Sequence, residues 1–195
     1  MGLQTNQGST VYLTIQGGSI ARRVPEPTAT SKTRQLESGK VINEELYGSI
    51  EGHITGISTK DGTYGKELHI QFADDQKYDL QVPLSSGPAK SFLSALPNLD
   101  LTKMTKLIPK REEKDGVART KILLSQNNAG VKWAFTKDNP GEMPPMKKIK
   151  VKGKETWDDT DQLEFFEALV TKYNDKLKAH GTLAIGAEAD DDQPF

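Results

Sequence analysis

Residues 46–56 read LYGSIEGHITG, and their apolar side chains recur with a period of two. Leu46, Ile50 and Ile54 share one parity with three glycines, whereas Tyr47 and mainly polar residues occupy the other. Such alternation predicts a β-strand with one apolar face, and glycines inside a strand permit the bend that a small closed barrel needs. We therefore predict a long first strand of a β-barrel, with Tyr47 pointing away from the core.

The residues after this stretch predict four more strands and a helix. Apolar and polar residues alternate over 68–72 and again over 78–82, which predicts the second and third strands. Residues 85–97 change to a helical period and stop at Pro97, which predicts a short helix. A fourth strand is expected over 101–108 and a fifth over 118–125. One more strand is expected over 131–135, with Trp133 on the same face as its apolar neighbours.

Three strands, a helix and two strands is the element order of the OB-fold, a five-stranded Greek-key barrel. We predict a mainly β protein built on an OB-fold, with an extra N-terminal hairpin, one short internal helix and a C-terminal helix. Another small β-barrel or sandwich with one helix stays open, because the match is of element order alone. OB-folds bind ligands on strands two and three and on two flanking loops. Here those loops are residues 58–66 and 109–117, and both carry Lys or Arg.

Both ends of the chain have their own patterns. Two β-rich segments flank Gly17-Gly18 and predict a hairpin, and residues 25–40, rich in Pro, Ser, Thr and Lys, predict a long loop or mobile linker. The segment after Asp158 predicts the only long helix, ending at Gly181. Its apolar stripe packs on the barrel or docks on another subunit.

Composition excludes several classes of protein. The chain has 195 residues and no Cys, which rules out disulfides, thiolate catalysis and Cys-ligated zinc and fits a reducing cytoplasm. It has neither a run of about 18 apolar residues nor a signal-peptide pattern, so we expect no membrane contact. Nucleophile-elbow, metalloprotease and phosphate-loop motifs are missing from the sequence, and its three His are scattered. We expect no enzyme activity, no cofactor and no metal.

The segment 188–195 reads EADDDQPF and concentrates negative charge. Its four acidic side chains account for −4 of a formal net charge of −1, so the preceding residues carry +3. Like charges keep such a segment extended, and Phe195 with its α-carboxylate forms an apolar anchor at the end. We expect a docking peptide for a partner with an apolar pocket and a basic rim. A merely solubilising acidic tail is the alternative.

Residues 190–195 resemble the acidic tip of the single-stranded DNA-binding protein (SSB) family of bacteria and their phages, which typically reads Asp-Asp-Asp-Ile-Pro-Phe. Gln193 replaces the Ile, and the resemblance covers six residues. It implies a protein that coats single-stranded DNA without sequence preference during replication, recombination and repair. It also implies that the tip recruits replication or repair proteins through Asp190, Asp191, Asp192, Pro194 and Phe195. The short spacer of residues 182–187 favours a phage-type member, acting in the cytoplasm of a bacterial cell or of a phage-infected host.

Binding single strands without sequence preference requires a basic groove for phosphates and flat rings on which bases stack. The candidate rings are Tyr47, Tyr64 and Trp133, although Trp133 fits a core position equally well. The candidate phosphate contacts are Lys60, Lys66, Lys103, Lys106, Lys110, Arg111, Arg119, Lys121 and Lys132. Lys148, Lys150, Lys152 and Lys154 share one parity and form either a cationic rail for phosphates or an edge strand protected from aggregation.

These observations divide the chain into four parts. Residues 1–42 are the N-terminal hairpin and mobile loop, 43–157 the OB-fold domain for single-stranded DNA, 158–181 the C-terminal helix packed on the barrel, and 182–195 a disordered acidic tail. Homo-oligomerisation stays open. The alternative function is a replisome-associated adaptor whose OB-like barrel binds no nucleic acid.

Overall fold

The computed structural model describes residues 10–36, 38–151 and 153–187, and these residues form twelve strands and two α-helices. The strands are β1 (Val11–Gln16), β2 (Ser19–Val24), β3 (Lys32–Gln35), β4 (Val41–Tyr47), β5 (Ile50–Gly62), β6 (Gly65–Ala73), β7 (Lys77–Pro83), β8 (Thr105–Lys114), β9 (Val117–Gln126), β10 (Ala129–Gly130), β11 (Lys147–Val151) and β12 (Lys154–Asp158). The helices are α1 (Gly87–Ala95), continued by a 3-10 turn over Leu96–Asn98, and α2 (Thr160–Ala187).

Ten of these strands form one sheet in the order β10-β9-β8-β5-β6-β7-β1-β2-β4-β3. All neighbours are antiparallel except β1 and β7, which run parallel. The mainly β class is therefore confirmed. The closed barrel is not: among the described residues no hydrogen-bonded pairing joins β7 to β9, and the edge of β7 is taken by β1 instead.

Helix α1 lies along the edge of β9. It begins after Ser86, whose hydroxyl caps the first turn, and Pro88 occupies an early position where its missing N–H costs nothing. The hydroxyl of Ser91 then accepts a hydrogen bond of 2.7 Å from the backbone N–H of Ile122 in β9. A Cβ added at Gly87 would lie 2.5 Å from the carbonyl oxygen of Thr120, so only glycine allows this approach. Helix α1 thus covers the edge of β9, where a closed barrel would place another strand.

The N-terminal half contains two departures from the predicted pattern. The hairpin is confirmed, with Gly17 and Gly18 at positive φ in its turn, but the predicted loop 25–40 contains strand β3. The predicted first strand is two strands, because the chain breaks at Gly48-Ser49. Strand β4 pairs with β2 and β3, whereas β5 pairs with β6 and β8. As a result Leu46, expected in the core, is 38% exposed.

The two predicted ligand loops are mostly strand. Strand β5 ends at Gly62 and β6 begins at Gly65, so only a two-residue turn joins them. Strands β8 and β9 are likewise joined by a two-residue turn, Asp115-Gly116. The predicted strand over 131–135 is wrong, since these residues are irregular. These residues lie alongside α1 in space, and the backbone N–H of Ala134 donates to the carbonyl of Ser94 at 2.7 Å.

Helix α2 packs against β5 and adds Phe166, Val170 and Tyr173 to the core. A β-bulge between Ile54 and Gly56 disturbs the ladder there, and the Asn174 side-chain oxygen accepts the backbone N–H of Ile57 at 3.3 Å. The helix continues through Gly181 to Ala187, so the predicted end at Gly181 is wrong. The disordered tail predicted over 182–195 is therefore wrong for residues 182–187, which are helical, and its acidic part from residue 188 lies outside the described residues.

The core lies between the sheet and the two helices, and Phe72, Phe92 and Phe166 are among its largest fully buried side chains. No helix within the described ranges combines the length and the apolar character needed to cross a membrane.

Candidate nucleic-acid interface

The predicted ligand face, on strands β6 and β7, is polar but not basic at its centre. The side chains opposite the core there are Glu67, His69, Gln71, Asp79 and Gln81. His69 and Asp79 are both buried, with His69 Nδ1 2.9 Å from Asp79 Oδ2. A face without Lys or Arg at its centre does not attract phosphates, so the position of the OB ligand face does not by itself locate a nucleic-acid site.

The tip of the β5–β6 hairpin holds three predicted residues. Tyr64 lies in the turn and is fully exposed, and Lys60 is exposed opposite Glu67 in the register. Lys66 is bonded to Glu167 of α2, and this carboxylate raises the pKa of the Lys66 ammonium group. The tip therefore offers an exposed ring, while one of its two lysines is held by a carboxylate.

The outer face of the β8–β9 hairpin collects cations but also the carboxylates that neutralise them. Lys121 Nζ and Lys110 Nζ lie 2.9 Å and 3.2 Å from the carboxylate oxygens of Glu112, and Lys106 Nζ lies 3.6 Å from Glu51. Hydrogen bonds from Lys121 and then Lys110 lower the pKa of Glu112. On the other face, Arg111 packs against the turn of the β1–β2 hairpin.

Arg119, Lys121 and Trp133 line one cavity of about 380 Å³ between α1, β9 and residues 133–143. We call this cavity the α1–β9 groove. Trp133 is 39% exposed, so the core position that its parity allowed is wrong and part of its ring is accessible to a ligand. Within the described residues, Arg119 forms no ion pair, although Glu112 lies opposite it in the β8–β9 register and also lines the groove. In the part of the chain that the structure describes, this groove brings the predicted ring of Trp133 together with two predicted cations, as the β5–β6 tip does with Tyr64.

Lys90, Phe135, Lys137, Met143 and the carboxylate of Glu112 are among the further residues of the groove, and none of them was predicted. Lys90 is held by Asp159 at 2.6 Å, whereas Lys137 has no carboxylate partner in the described part of the chain. The Phe135 ring packs edge-on against Phe165 of α2, with centroids 5.2 Å apart, which fixes the groove wall. The alternation of Trp133 and Phe135 is the signal in the sequence, but it predicts a strand over 131–135 and does not include Lys137.

Tyr47 and two of the predicted lysines lie elsewhere. The Tyr47 hydroxyl donates to Glu45 at 2.6 Å, which raises the pKa of Tyr47, and the side chain lines a pocket that also contains Glu51, Asp74 and Asp75. Such acidic surroundings repel phosphates. Lys103 and Lys132 line a separate open depression, where Lys103 is bonded to Asp100 at 2.9 Å.

The lysine-rich segment forms the β11–β12 hairpin, a two-stranded sheet separate from the large one. Lys148 and Lys150 share a face, but Lys154 pairs with Val151 across the turn and lies on the opposite face. The predicted rail that includes Lys154 is therefore wrong, and Lys152 lies outside the described residues.

Comparison of the chain with protein-family models, with curated proteins and with solved structures finds no match. Among the described residues, no group of three or more His, Asp or Glu side chains is placed to hold a metal ion.

Proposed function

We propose that this protein binds single-stranded DNA without sequence preference, and that the α1–β9 groove holds the strand. The main support is that Arg119, Lys121 and Trp133 line one groove. The apolar side chains of Phe135 and Met143 line it as well. Rings for bases beside cations for phosphates are the two requirements of such binding.

The groove residues divide into stacking and charged groups. The accessible part of Trp133 takes an unstacked base, which contributes about 1–3 kcal/mol per stacked base. Arg119 and Lys137, which form no ion pair within the described residues, bind phosphates directly. Lys121 first has to leave Glu112. Duplex DNA keeps its bases stacked inside the helix and cannot use the ring, so the groove favours single strands.

We further propose that β5–β9 with α1 form an open OB-type unit. This is supported by the three strands, helix and two strands in chain order, and by the contiguous pairing β9-β8-β5-β6-β7. The acidic residues 188–195 would recruit replication or repair proteins, as their resemblance to the SSB tip implies. The protein would then act in the cytoplasm of a bacterial cell or of a phage-infected host.

A replisome-associated adaptor that binds no nucleic acid is the second candidate. The observation in its favour is the number of neutralised cations, since Lys66, Lys103, Lys106, Lys110 and Lys121 all lie beside carboxylates. An adaptor would retain the acidic docking segment and use the sheet only as a scaffold.

Fluorescence anisotropy of labelled oligo-dT and of a duplex of equal length separates the two functions. Single-strand binding predicts a higher affinity for oligo-dT that falls steeply with salt, because released counterions drive the association. Arg119→Ala should weaken binding and flatten the salt dependence. Lys106→Ala, which removes the same charge outside the groove, should have a much smaller effect. Absence of oligo-dT binding, or equal losses in both variants, would contradict the proposal.

A further inference from the structure

The β11–β12 hairpin rises from the rim of the α1–β9 groove. Its first strand begins four residues after Met143, which lines the groove, and its second strand ends immediately before Asp159, which binds Lys90 of the groove. Lys147 Nζ lies 2.5 Å from Asp161 in the first turn of α2. Both strands of the hairpin therefore connect to the large sheet and helices beside the groove.

The rest of the hairpin lies outside the core. Residues 147–150 and 153–157 are all exposed, and β11 and β12 pair only with each other in the described part of the chain. A lone two-stranded hairpin is marginally stable in water, so a partner that covers one face would stabilise it.

One face of this hairpin combines a ring with cations. Lys148 lies opposite Trp157, and Lys150 lies opposite Glu155, so all four side chains share a face. Trp157 is 59% exposed, and Lys148 Nζ lies 5.3 Å from the centre of its ring. Glu155 Oε2 lies 3.5 Å from Lys148 Nζ, whereas Lys150 has no carboxylate partner among the described residues.

We propose that this hairpin is a second contact for the same single strand, with Trp157 as its base-stacking residue and Lys150 and Lys148 as its phosphate contacts. The inference rests on the proposed single-strand binding and extends the binding path beyond the groove. An exposed indole with Lys148 beside it and Lys150 on the same face suits an unstacked base next to phosphates, because the ring needs a flat apolar ligand and the lysines need an anionic one. A purely apolar protein surface would offer Lys150 no counter-charge.

Two single-tryptophan proteins test the groove and the hairpin independently, since the chain has two Trp. Trp133→Phe leaves Trp157 as the reporter, and Trp157→Phe leaves Trp133. Titration with oligo-dT should quench both reporters saturably. Quenching of Trp133 without quenching of Trp157 would overturn the hairpin inference and leave the groove standing. Quenching of neither would remove the proposed function as well.

Oligonucleotides of two lengths and matched charge variants distinguish binding at the hairpin from binding in the groove. Trp157→Ala should lower the affinity for an oligo-dT of about 16 nucleotides by roughly ten-fold but leave one of about 4 nucleotides nearly unchanged, because the shorter strand fills only the groove. Lys150→Ala should weaken binding of the longer strand more than Lys154→Ala, which removes the same charge on the opposite face. Equal effects at both lengths, or equal losses in the two lysine variants, would contradict the inference. Far-ultraviolet circular dichroism of each variant establishes that it is folded.

Discussion

The hydroxyl of Ser91 in α1 accepts a hydrogen bond of 2.7 Å from the backbone N–H of Ile122 in β9. This contact lies at the edge where a closed barrel would place another strand, and it sets one wall of the α1–β9 groove. The same hydroxyl donates to the carbonyl of Pro88 at 2.9 Å. Helix α1 is therefore both the cover of the sheet edge and the border of the site.

Ser91→Ala should destabilise the protein by about 1–3 kcal/mol, because the buried N–H of Ile122 is left without a partner. Ser94→Ala is the matched control, since Ser94 lies one turn further along α1 and contacts residue 134 through its backbone carbonyl. Urea unfolding of both variants measures the difference. Equal losses would show that the hydroxyl contact is not what stabilises this edge.

Gly18→Ala should cost more stability than Gly17→Ala. Both glycines have positive φ, so alanine is strained at either position, by about 1–2 kcal/mol. At Gly18 the new Cβ would also lie 2.7 Å from Cβ of Arg111, whereas nothing lies within 4 Å at Gly17. Thermal unfolding of the two variants isolates the contact between the β1–β2 turn and β8. A similar loss for both would indicate that the contact is easily relaxed.

Much of the secondary structure can be predicted from the sequence, because local patterns decide it. Gly17-Gly18 specify the first turn, Ser86 and Pro88 the start of α1, and the apolar stripe through Phe166 the buried face of α2. These elements depend on neighbours in sequence. The same holds for the alternation of β6 and β7.

The remaining features depend on contacts that no local pattern records. The break at Gly48-Ser49 separates strands that pair with different partners, so the parity of Leu46 ceases to predict its burial. Strand β3 is held by pairing with β4 across the predicted loop. Trp133 and Arg119 share a groove only because residues 131–135 lie alongside α1 instead of forming a strand. The cations could be identified from the sequence, but their neutralising carboxylates could not.

Glu112→Gln should tighten oligo-dT binding, because it frees Lys121 and Lys110 from their shared carboxylate. The salt slope should steepen by about 0.7 for each additional phosphate that the protein neutralises. Glu113→Gln makes the same charge change on the opposite face of β8 and should have a smaller effect. Anisotropy titrations at several salt concentrations compare the two variants. Equal tightening in both would show that the affinity depends on net charge and not on the release of Lys121 and Lys110.

The same ion pairs predict how binding responds to acid. Hydrogen bonds from Lys121 and then Lys110 lower the pKa of Glu112, so this carboxylate is protonated at a lower pH than an ordinary Glu. Lys121 should therefore remain held across neutral and mildly acidic pH, and this group should cause no change in affinity there. A rise in affinity that begins above the ordinary Glu pKa and disappears in Glu112→Gln would contradict this assignment.

Asp100 should titrate with a pKa of about 2, because Thr102 and Lys103 donate hydrogen bonds to its carboxylate. A depressed pKa contributes stability above the unfolded value, and that stability is lost as pH falls through the folded value. Thr102→Ala should raise the Asp100 pKa toward the ordinary value, 3.8. Carboxyl NMR titration of both proteins measures the shift, and an unperturbed Asp100 in the unaltered protein would contradict the local geometry.

Fluorescence of Trp133 in the Trp157→Phe protein, titrated with oligo-dT at about 50 mM and 200 mM salt, measures whether a single strand occupies the α1–β9 groove. Single-strand binding in the α1–β9 groove predicts saturable quenching at both salt concentrations, with the midpoint displaced to higher oligo-dT concentration at the higher salt. Emission that stays unchanged at saturating oligo-dT would contradict it.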